Sequence, residues 1–533
     1  MKLSQLLKEI AVEDVSGSVD VDIKGLAYDS RQVKPGYLFV ALRGHRLDGH
    51  DYMKDAIERG SVALVGERFD GIGNGITKIK VTDSRSALSR LARRYYDAPF
   101  EGMNIIGITG TNGKTTTSYV LESILLAAGA RPGVIGTINY RYSGKTHKAP
   151  VTTPESLELM AILKEMRDEG VSDVIMEVSS HALDQGRTND CPFKVAVFTN
   201  ISRDHLDYHR DMEDYFRAKS LLFERVGPGK SDDPNYAVIN LDDPRGQALM
   251  DLTEARTITY GLGDRQDVRA ESIHRDREGI KGVLRTPIGT RPLESPLIGV
   301  FNLYNILAAV ATSLALGIDL DDIVQGIKKL RSVPGRMELV KNRLELTIVV
   351  DYAHTPDALR KTILNLRPLA SSRIISVFGC GGDRDKGKRR EMGQLAGENS
   401  DIVIVTSDNP RTEDPAVIIG EIEKGVRKSG LEMIVWEEEP AGAGKGYILE
   451  PDRRAAIRKA ITIAQRGDVV LIAGKGHEDY QIVGEERRPF DDREEARKAA
   501  REVEASRSNR PDQKSPIGSQ SYQGIPHKQG KLG

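Results

Sequence analysis

The segment Ile106-Gly107-Ile108-Thr109-Gly110-Thr111-Asn112-Gly113-Lys114-Thr115-Thr116-Thr117 carries the most legible chemistry in the chain. Its pattern predicts a buried strand, a tight glycine turn and the opening of a helix. A turn without Cβ atoms lets backbone N–H groups close around phosphate oxygens, and the helix N-terminus adds partial positive charge. Lys114 is placed to reach the outer phosphates of a nucleotide, and the Thr115 hydroxyl to hold Mg²⁺. Gly110, Thr111, Asn112, Gly113 and Thr116 complete the cradle. The glycines stand at 107, 110 and 113; the commoner spacing would put one at 108, which is Ile108.

Three more segments join this loop. Glu177 ends an apolar run, Val174-Ile175-Met176-Glu177-Val178, where it either reaches a cation held by Thr115 or is a solvated strand end. The stretch Asn200-Ile201-Ser202-Arg203-Asp204-His205-Leu206-Asp207-Tyr208-His209 packs two histidines and two aspartates into one loop. Neither cysteine lies near it at zinc-type spacing, and its composition suits hard Mg²⁺ chemistry at least as well. Lys219 stands on the otherwise apolar helical pattern Tyr215 to Phe223, where the bland expectation is a packed stem with its head in water.

The elements that must position these residues are strands and helices in alternation. Apolar runs at Gly36 to Leu42 and Ser61 to Val65, with a helical pattern at Asp51 to Arg59 between them, predict a small mixed α/β domain over 1–99. From Asn104 the rhythm becomes strand, glycine, helix. Leu159, Ile162, Leu163 and Met166 recur at helical spacing up to Gly170, and a strand follows at Val195 to Phe198. Such alternation implies a parallel sheet, here a central P-loop domain over 100–334. A third, Rossmann-like α/β unit over 335–500 takes strands at Thr347 to Val350, Ile374 to Phe378, Ile402 to Thr406 and Val469 to Ala473. Ligands of open parallel sheets sit beyond the strand C-termini, where these motifs cluster. Residues 501–533 lose apolar periodicity and are expected to be a disordered tail, and Glu437 to Gly446 a loop.

At 533 residues the chain exceeds one core, since domains run to roughly 100–200 residues. Lys plus Arg number 77 and Asp plus Glu 78, so no global field attracts nucleic acid or a membrane. Two cysteines, Cys191 and Cys380, fit a reducing cytoplasm rather than a disulfide framework. The N-terminus lacks a signal-peptide apolar core, and no apolar run approaches the ~20 residues that span a bilayer. A soluble intracellular protein is expected.

Taken together, these segments resemble the Mur ligase family of ATP-dependent amide-bond-forming enzymes, from the N-terminal domain to about residue 498. The resemblance rests on Asp29-Ser30-Arg31, Gly110 to Thr116, Thr152-Thr153-Pro154, Glu177 to His181, Asn200 to His209 and Ala218-Lys219. It continues through Gly299 to Asn305, Pro334-Gly335-Arg336-Met337-Glu338 and Asp351-Tyr352-Ala353-His354-Thr355-Pro356. It closes with Gly379 to Asp385, Asp408-Asn409-Pro410-Arg411 and Gly474-Lys475-Gly476-His477-Glu478.

The resemblance implies that ATP phosphorylates a substrate carboxylate and that an amine attacks the acyl phosphate. Lys114 and Mg²⁺ would then serve the γ-phosphate, with Thr115 and Glu177 holding one metal, His205 and Lys219 a second, and Arg336 stabilising phosphate charge as the third domain closes. An ammonium cannot ligate a cation, and the family's answer is carbamylation of Lys219. Asn302, Asn305 and Asp351 would lie near the base and ribose, although ordinary turn bonding also accounts for the two asparagines. Asp408-Asn409-Pro410-Arg411 resembles the signature of members that add meso-2,6-diaminopimelate, with Arg384, Gly474 and Glu478 completing that pocket and Glu478 facing the distal ammonium. The forked Arg411 guanidinium suits a distal carboxylate that lysine lacks, while Asp-Asn-Pro alone also reads as an Asx turn.

The acceptor implied is UDP-N-acetylmuramoyl-L-alanyl-D-glutamate, a peptidoglycan precursor. Tyr28, Ser30, His45, Arg46 and Leu47 match the uridine region, where Arg46 and Leu47 depart from the family's usual polar and small pair. Thr152, Thr153, Ser179, Gln185 and Arg187 would hold the muramoyl peptide, with Arg187 facing an acidic group. The expected protein is a cytoplasmic monomer that contacts no nucleic acid. The alternatives are a lysine-adding Mur ligase, a folylpolyglutamate synthetase, and a nucleotide switch that ligates nothing; no guanine-selecting Asn-Lys-x-Asp turn follows a strand.

Overall fold

The alternating runs form three large sheets in a computed structural model, which describes residues 1–44, 47–435 and 444–508. The first has five strands, ordered Val12–Ser16, Thr77–Val81, Ser61–Gly66, Tyr37–Val40, Gly25–Ala27. Only Val12–Ser16 runs antiparallel to its neighbour. The helical pattern at Asp51 to Arg59 is a 3-10 turn, Gly49–Tyr52, that continues as the helix Met53–Glu58.

The central sheet has eleven strands. Pro132–Ile135, Asp173–Glu177, Asn104–Thr109, Phe193–Phe198, Tyr236–Asn240 and Arg256–Gly261 lie side by side and parallel. These strands are buried on both faces, which explains their near-continuous apolar sequences. Ile105 packs into the core on one face, while Ile106 and Ile108 join the core beneath the helices Lys114–Ala127 and Val300–Ala315 on the other. The edges depart from the expected parallel sheet. Asn139–Tyr142 and Lys145–Lys148 close one side through antiparallel pairs; on the other, Val268–Asp276 still joins in parallel, and Gly279–Thr286 and Gly289–Ser295 follow it in antiparallel pairs. The reason is connection length: Ser143-Gly144 is a two-residue turn, and so short a link joins only antiparallel strands.

The third sheet has six strands, ordered Glu338–Val340, Thr347–Asp351, Val469–Ala473, Ile374–Phe378, Ile402–Val405, Gly446–Leu449. All pairs but the first are parallel. Gly446 therefore opens a strand and does not belong to the expected loop; residues 437–443 of that loop lie outside the described residues. A second correction falls at the C-terminal end. The last helix, Asp492–Ser508, runs through the boundary expected at 500. Ala496, Ala499, Ala500 and Val503 recur at helical spacing and are buried on the third core, so the apolar stripe ends later than the composition shift implies. The rest of the expected tail lies outside the described residues.

The helices Gly387–Asn399 and Pro415–Lys428 cross closely because glycines face backbone at the crossing. A Cβ at Gly425 would overlap the Arg390 carbonyl, and one at Gly393 the Ile422 carbonyl, whereas a Cβ at Gly420 meets nothing within 4 Å. Gly425→Ala should therefore lower stability by about 1–3 kcal/mol through overpacking. Gly420→Ala, on the same helix, should raise it by about 0.5–1 kcal/mol through helix propensity. Thermal unfolding of the two variants against the parent checks the opposite signs.

Candidate active site

Three neighbouring parallel strands deliver the site to one edge of the central sheet. Glu177 pairs in register with Ile108, and Phe198 with Thr109, so the phosphate loop, Glu177 and the Thr199–Asn200 corner emerge together. Gly110 and Gly113 have φ of +143° and +93°, in the region glycine alone adopts freely. Neither has room for a side chain: a Cβ at Gly110 would overlap the Thr199 hydroxyl, and one at Gly113 the Asn305 Oδ1. The loop is clamped from outside. Thr111 N–H donates to the Asn200 carbonyl at 2.8 Å and Asn112 N–H to Asn200 Oδ1 at 3.1 Å. The Thr199 hydroxyl donates to the Asn112 carbonyl at 2.6 Å. Gly113 caps the helix Lys114–Ala127 without a side-chain bond. Thr116 is buried beneath it.

Glu177 is buried, which removes the solvated-strand-end alternative. Its Oε2 accepts from the Thr115 and Thr137 hydroxyls, both at 2.9 Å, and its Oε1 from the Thr137 N–H at 3.0 Å. The hydroxyl and carboxylate oxygens of Thr115 and Glu177 are hard donors that fit Mg²⁺. No group of three or more His, Cys, Asp or Glu among the described residues is placed to hold a metal by itself. Magnesium does not require such a cage, since it usually keeps waters and substrate phosphates as ligands.

Lys219 is fully buried rather than reaching water. Its Nζ donates to the Gly110 carbonyl at 3.0 Å and lies 4.5 Å from the centre of the Tyr215 ring. Lys114 Nζ donates to the same carbonyl at 2.7 Å and to that of Thr111 at 3.0 Å. Burial, then the nearby Lys114 charge, push the Lys219 pKa well below the usual lysine value, against a weaker pull from Asp204. His205 has a φ of +54° and sits 5.9 Å from Tyr215 and 5.0 Å from His181, ring centre to ring centre. His181 itself is held neutral, its pKa lowered to about 4 by burial and then by the neighbouring imidazoles.

Arg336 reaches the phosphate loop from the third sheet's side. Its Nη2 donates to Thr115 Oγ1 at 3.4 Å, its guanidinium lies over Tyr352 at 4.5 Å, and its buried Nε has no partner among the described residues. An orphaned donor of a cation beside this loop is suited to an anion. Asp351 is occupied with backbone: it accepts from Met337 N–H at 2.8 Å and Ala353 N–H at 2.9 Å, and burial raises its pKa. Asn302 and Asn305 lie on the helix Val300–Ala315 and not in a turn. Asn302 Nδ2 donates to the Ile298 carbonyl at 2.8 Å and Asn305 Nδ2 to Asn302 Oδ1 at 3.2 Å, which leaves Asn305 against Gly113.

Thr152, Thr153, Ser179, Gln185 and Arg187 form one polar patch. The Thr152 and Thr137 hydroxyls are 3.1 Å apart, and the Thr153 hydroxyl donates to the Glu177 carbonyl at 2.9 Å and accepts from Ser179 N–H at 3.0 Å. Arg187 donates to the Thr153 carbonyl at 2.9 Å and to Gln185, and stands 3.6 Å from Glu155. Arg85, from the first domain, meets Glu155 at 2.9 Å. The Tyr28 phenol is half-buried beside Glu158, its pKa raised by burial and by that carboxylate. Ser30 opens a 3-10 turn capped by Asp29, and Leu47 is exposed. His45 and Arg46 lie outside the described residues.

At the third sheet, Asp408, Asn409 and Glu478 meet. Asn409 Nδ2 donates to Glu478 Oε2 at 3.0 Å, and a Cβ at Gly474 would stand 2.9 Å from Asp408 Oδ2. Pro410 and Arg411 continue the loop; Arg411, with φ +51°, donates from Nη1 to the Gly382 carbonyl at 2.8 Å. Arg384 is exposed on the Gly381–Asp385 loop. Sequence reasoning left out the residues that hold these loops. Buried Arg389 pairs with Glu413 and Glu421 at 2.9 and 2.8 Å, and Glu413 accepts from Asp383 N–H. Thr137 and Lys475 were also missed. Only Lys475 carried a signal, a lysine between two glycines.

Three family models match the chain: the Mur ligase family catalytic domain over residues 22–96, the Mur ligase middle domain over 108–313, and the Mur ligase glutamate ligase domain over 335–476. The chain belongs to the Mur ligase family. A UDP-N-acetylmuramoyl-L-alanyl-D-glutamate–2,6-diaminopimelate ligase of Geobacter metallireducens is 50% identical over 505 residues, 94% of this chain and 99% of that protein. A protein of the same name from Geobacillus thermodenitrificans is 46% identical over 505 residues, 94% of this chain and 100% of that protein. A solved structure under that name superposes with a TM-score of 0.67 at 33% identity, covering 95% of this chain and 99% of the other.

The tightest contact in the site gives its own test. Gly113→Ala adds a Cβ against Asn305 at a left-handed φ. A loop displaced by about 1 Å should cost on the order of 100-fold in ATP-dependent turnover. Steady-state kinetics with thermal unfolding as the folding control measure this.

Proposed function

We propose that this chain joins meso-2,6-diaminopimelate to UDP-N-acetylmuramoyl-L-alanyl-D-glutamate, using ATP. The observation that carries the reading is the near end-to-end similarity, at 50% identity, to a ligase of that name. The site supports it: a phosphate cradle, an oxygen-donor pair at its lip, and an Asp408-Asn409-Pro410-Arg411 loop packed on Glu478. The two free, buried cysteines fit a cytoplasmic setting. The working unit is a monomer acting on small molecules, with no nucleic-acid partner.

A carboxylate is a poor electrophile, so it is first phosphorylated. One of its oxygens takes the γ-phosphoryl group and ADP leaves; the amine of the amino acid then attacks the acyl carbon, expelling phosphate and losing a proton. The protein's work is charge neutralisation and alignment. Lys114 and Arg336 face the transferred phosphoryl group. Thr115 and Glu177 would hold Mg²⁺, which supplies further neutralisation of the phosphates. Arg187 and the threonines around it orient the muramoyl peptide, and Arg411 takes the distal carboxylate of the amino acid.

Lys219 has the environment for carbamylation. Its pKa is depressed by burial and by Lys114, so a share of the amine is free to attack CO₂, lose a proton and become a carbamate. Such an anion, with His205, would hold a second cation. Lys219→Ala should lower turnover about 100-fold or more, since losing metal-based charge stabilisation costs several kcal/mol. Short carboxylic acids added to the variant should restore part of it. An unchanged rate would remove this role.

Coupled ADP release should require ATP, Mg²⁺, the UDP-muramoyl-dipeptide and meso-diaminopimelate together, with lysine a poor replacement. Arg411→Ala should cut kcat/KM for diaminopimelate on the order of 10–100-fold, the worth of charged hydrogen bonds of about 1.5–3 kcal/mol. It should also narrow the preference over lysine. ADP release indifferent to the amino acid would overturn the reading.

A further inference from the structure

The least expected buried charge in the third domain is Lys475, whose side chain has no solvent exposure. Its backbone explains how it gets there. Gly474 and Gly476 have φ of +117° and +53°, and Gly476 packs against Gly335, next to Arg336. The turn aims the lysine inward. There Nζ is 3.0 Å from Asn409 Oδ1, 3.3 Å from Glu478 Oε2 and 3.5 Å from Asp408 Oδ1.

An ammonium only donates, so the oxygen of the Asn409 amide must face Lys475. Ile482 N–H, at 2.9 Å from the same oxygen, requires this orientation too. The amide nitrogen therefore points to Glu478 Oε2, its acceptor at 3.0 Å. Glu478 Oε2 thus receives both Lys475 and Asn409, while Oε1 has no hydrogen-bond partner among the described residues. Charge points the same way. Two carboxylates, Asp408 and Glu478, face one ammonium. The other nearby buried cation, Arg453, is matched by Asp492 at 2.7 Å through two bonds. The cluster therefore carries one net negative charge and leaves two carboxylate oxygens, Glu478 Oε1 and Asp408 Oδ2, without a hydrogen-bond partner among the described residues, which is what an incoming ammonium requires.

We infer that Lys475 is a positioning residue for the amino-acid substrate: it pins Asn409 and one oxygen of Glu478, so that the other oxygen takes an ammonium group of the diamino acid. The inference rests on the function proposed above and adds to it the residue that sets this carboxylate's orientation. It acts through Glu478 and not on the nucleotide, so its effects are confined to one substrate.

The experiment is a cycle of Lys475→Met, Glu478→Gln and the double variant, with KM measured separately for diaminopimelate, ATP and the UDP-muramoyl-dipeptide. Lys475→Met should raise KM for diaminopimelate about 10-fold or more, leaving the other two KM values within about twofold. On a Glu478→Gln background the same change should add less than about threefold, because both residues work through one contact. Removing one partner of a buried ionic cluster is destabilising. Should the single variant fail to fold, the comparison of Glu478→Gln with the double variant, whose cluster keeps its net charge, decides alone. An unmoved diaminopimelate KM, a parallel rise in all three, or equal losses on both backgrounds would overturn the inference. Absence of diaminopimelate-dependent ADP release in the unaltered protein would instead overturn the function on which it rests.

Discussion

One backbone carbonyl, that of Gly110, organises the centre of this molecule. It accepts from both Lys114 and Lys219, and burial, joined at Lys219 by the Lys114 charge, lowers the pKa of each. The carbonyl can occupy that place because Gly110 has no side chain and turns at φ +143°, with the Thr199 hydroxyl filling the space a Cβ would need. The loop that cradles phosphate and the environment that depresses a lysine's pKa are therefore one piece of geometry.

From that point the structure extends outward as a chain of clamps. Thr199 and Asn200 hold the loop, and Asn240 and Asp243, at the end of the next strand, hold Thr199 and Ile201 at 2.8 and 2.9 Å. Glu177 ties Thr115 to Thr137, and through its carbonyl to Thr153 and the patch around Arg187. Arg336 and Asn305 approach from the far side. The third domain repeats the device with ions: Arg453 with Asp492, Arg389 with Glu413, and Lys475 among Asp408, Asn409 and Glu478. A buried ion pair contributes little net stability after desolvation. Its use here is directional, because each of these cations holds loop atoms or a carboxylate in one orientation.

The sequence made the architecture legible where a local rule suffices. Continuous apolar runs between glycines marked the buried parallel strands, since such strands have no solvent face to alternate toward. Ile374–Phe378 and Val469–Ala473 were readable residue for residue for that reason. The antiparallel edges of the central sheet were missed because their strands are half exposed and their pairing depends on two-residue turns. The final helix was cut short at 500 because its stripe is built mostly of alanine, whose burial composition barely registers.

What the sequence alone determined is the list of chemically able groups and the strand ends that carry them: Gly110 to Thr116, Glu177, the Asn200 to His209 loop, Asp408 to Arg411. These follow from periodicity and turn chemistry, which act over a few residues. Only the tertiary structure decided their states. Lys219 could have reached water from its helix, and Glu177 could have been solvated; both are buried because a neighbouring strand or loop covers them. Asn302 and Asn305 were equally good turn residues until a helix placed Asn305 against Gly113 and Asn302 behind it. Lys475 stood between two glycines like any surface lysine, and became an internal counter-ion only where Asp408 and Glu478, brought together by the sheet, left a space for it. Burial and charge pairing are sums over residues far apart in the chain, and no local window contains them.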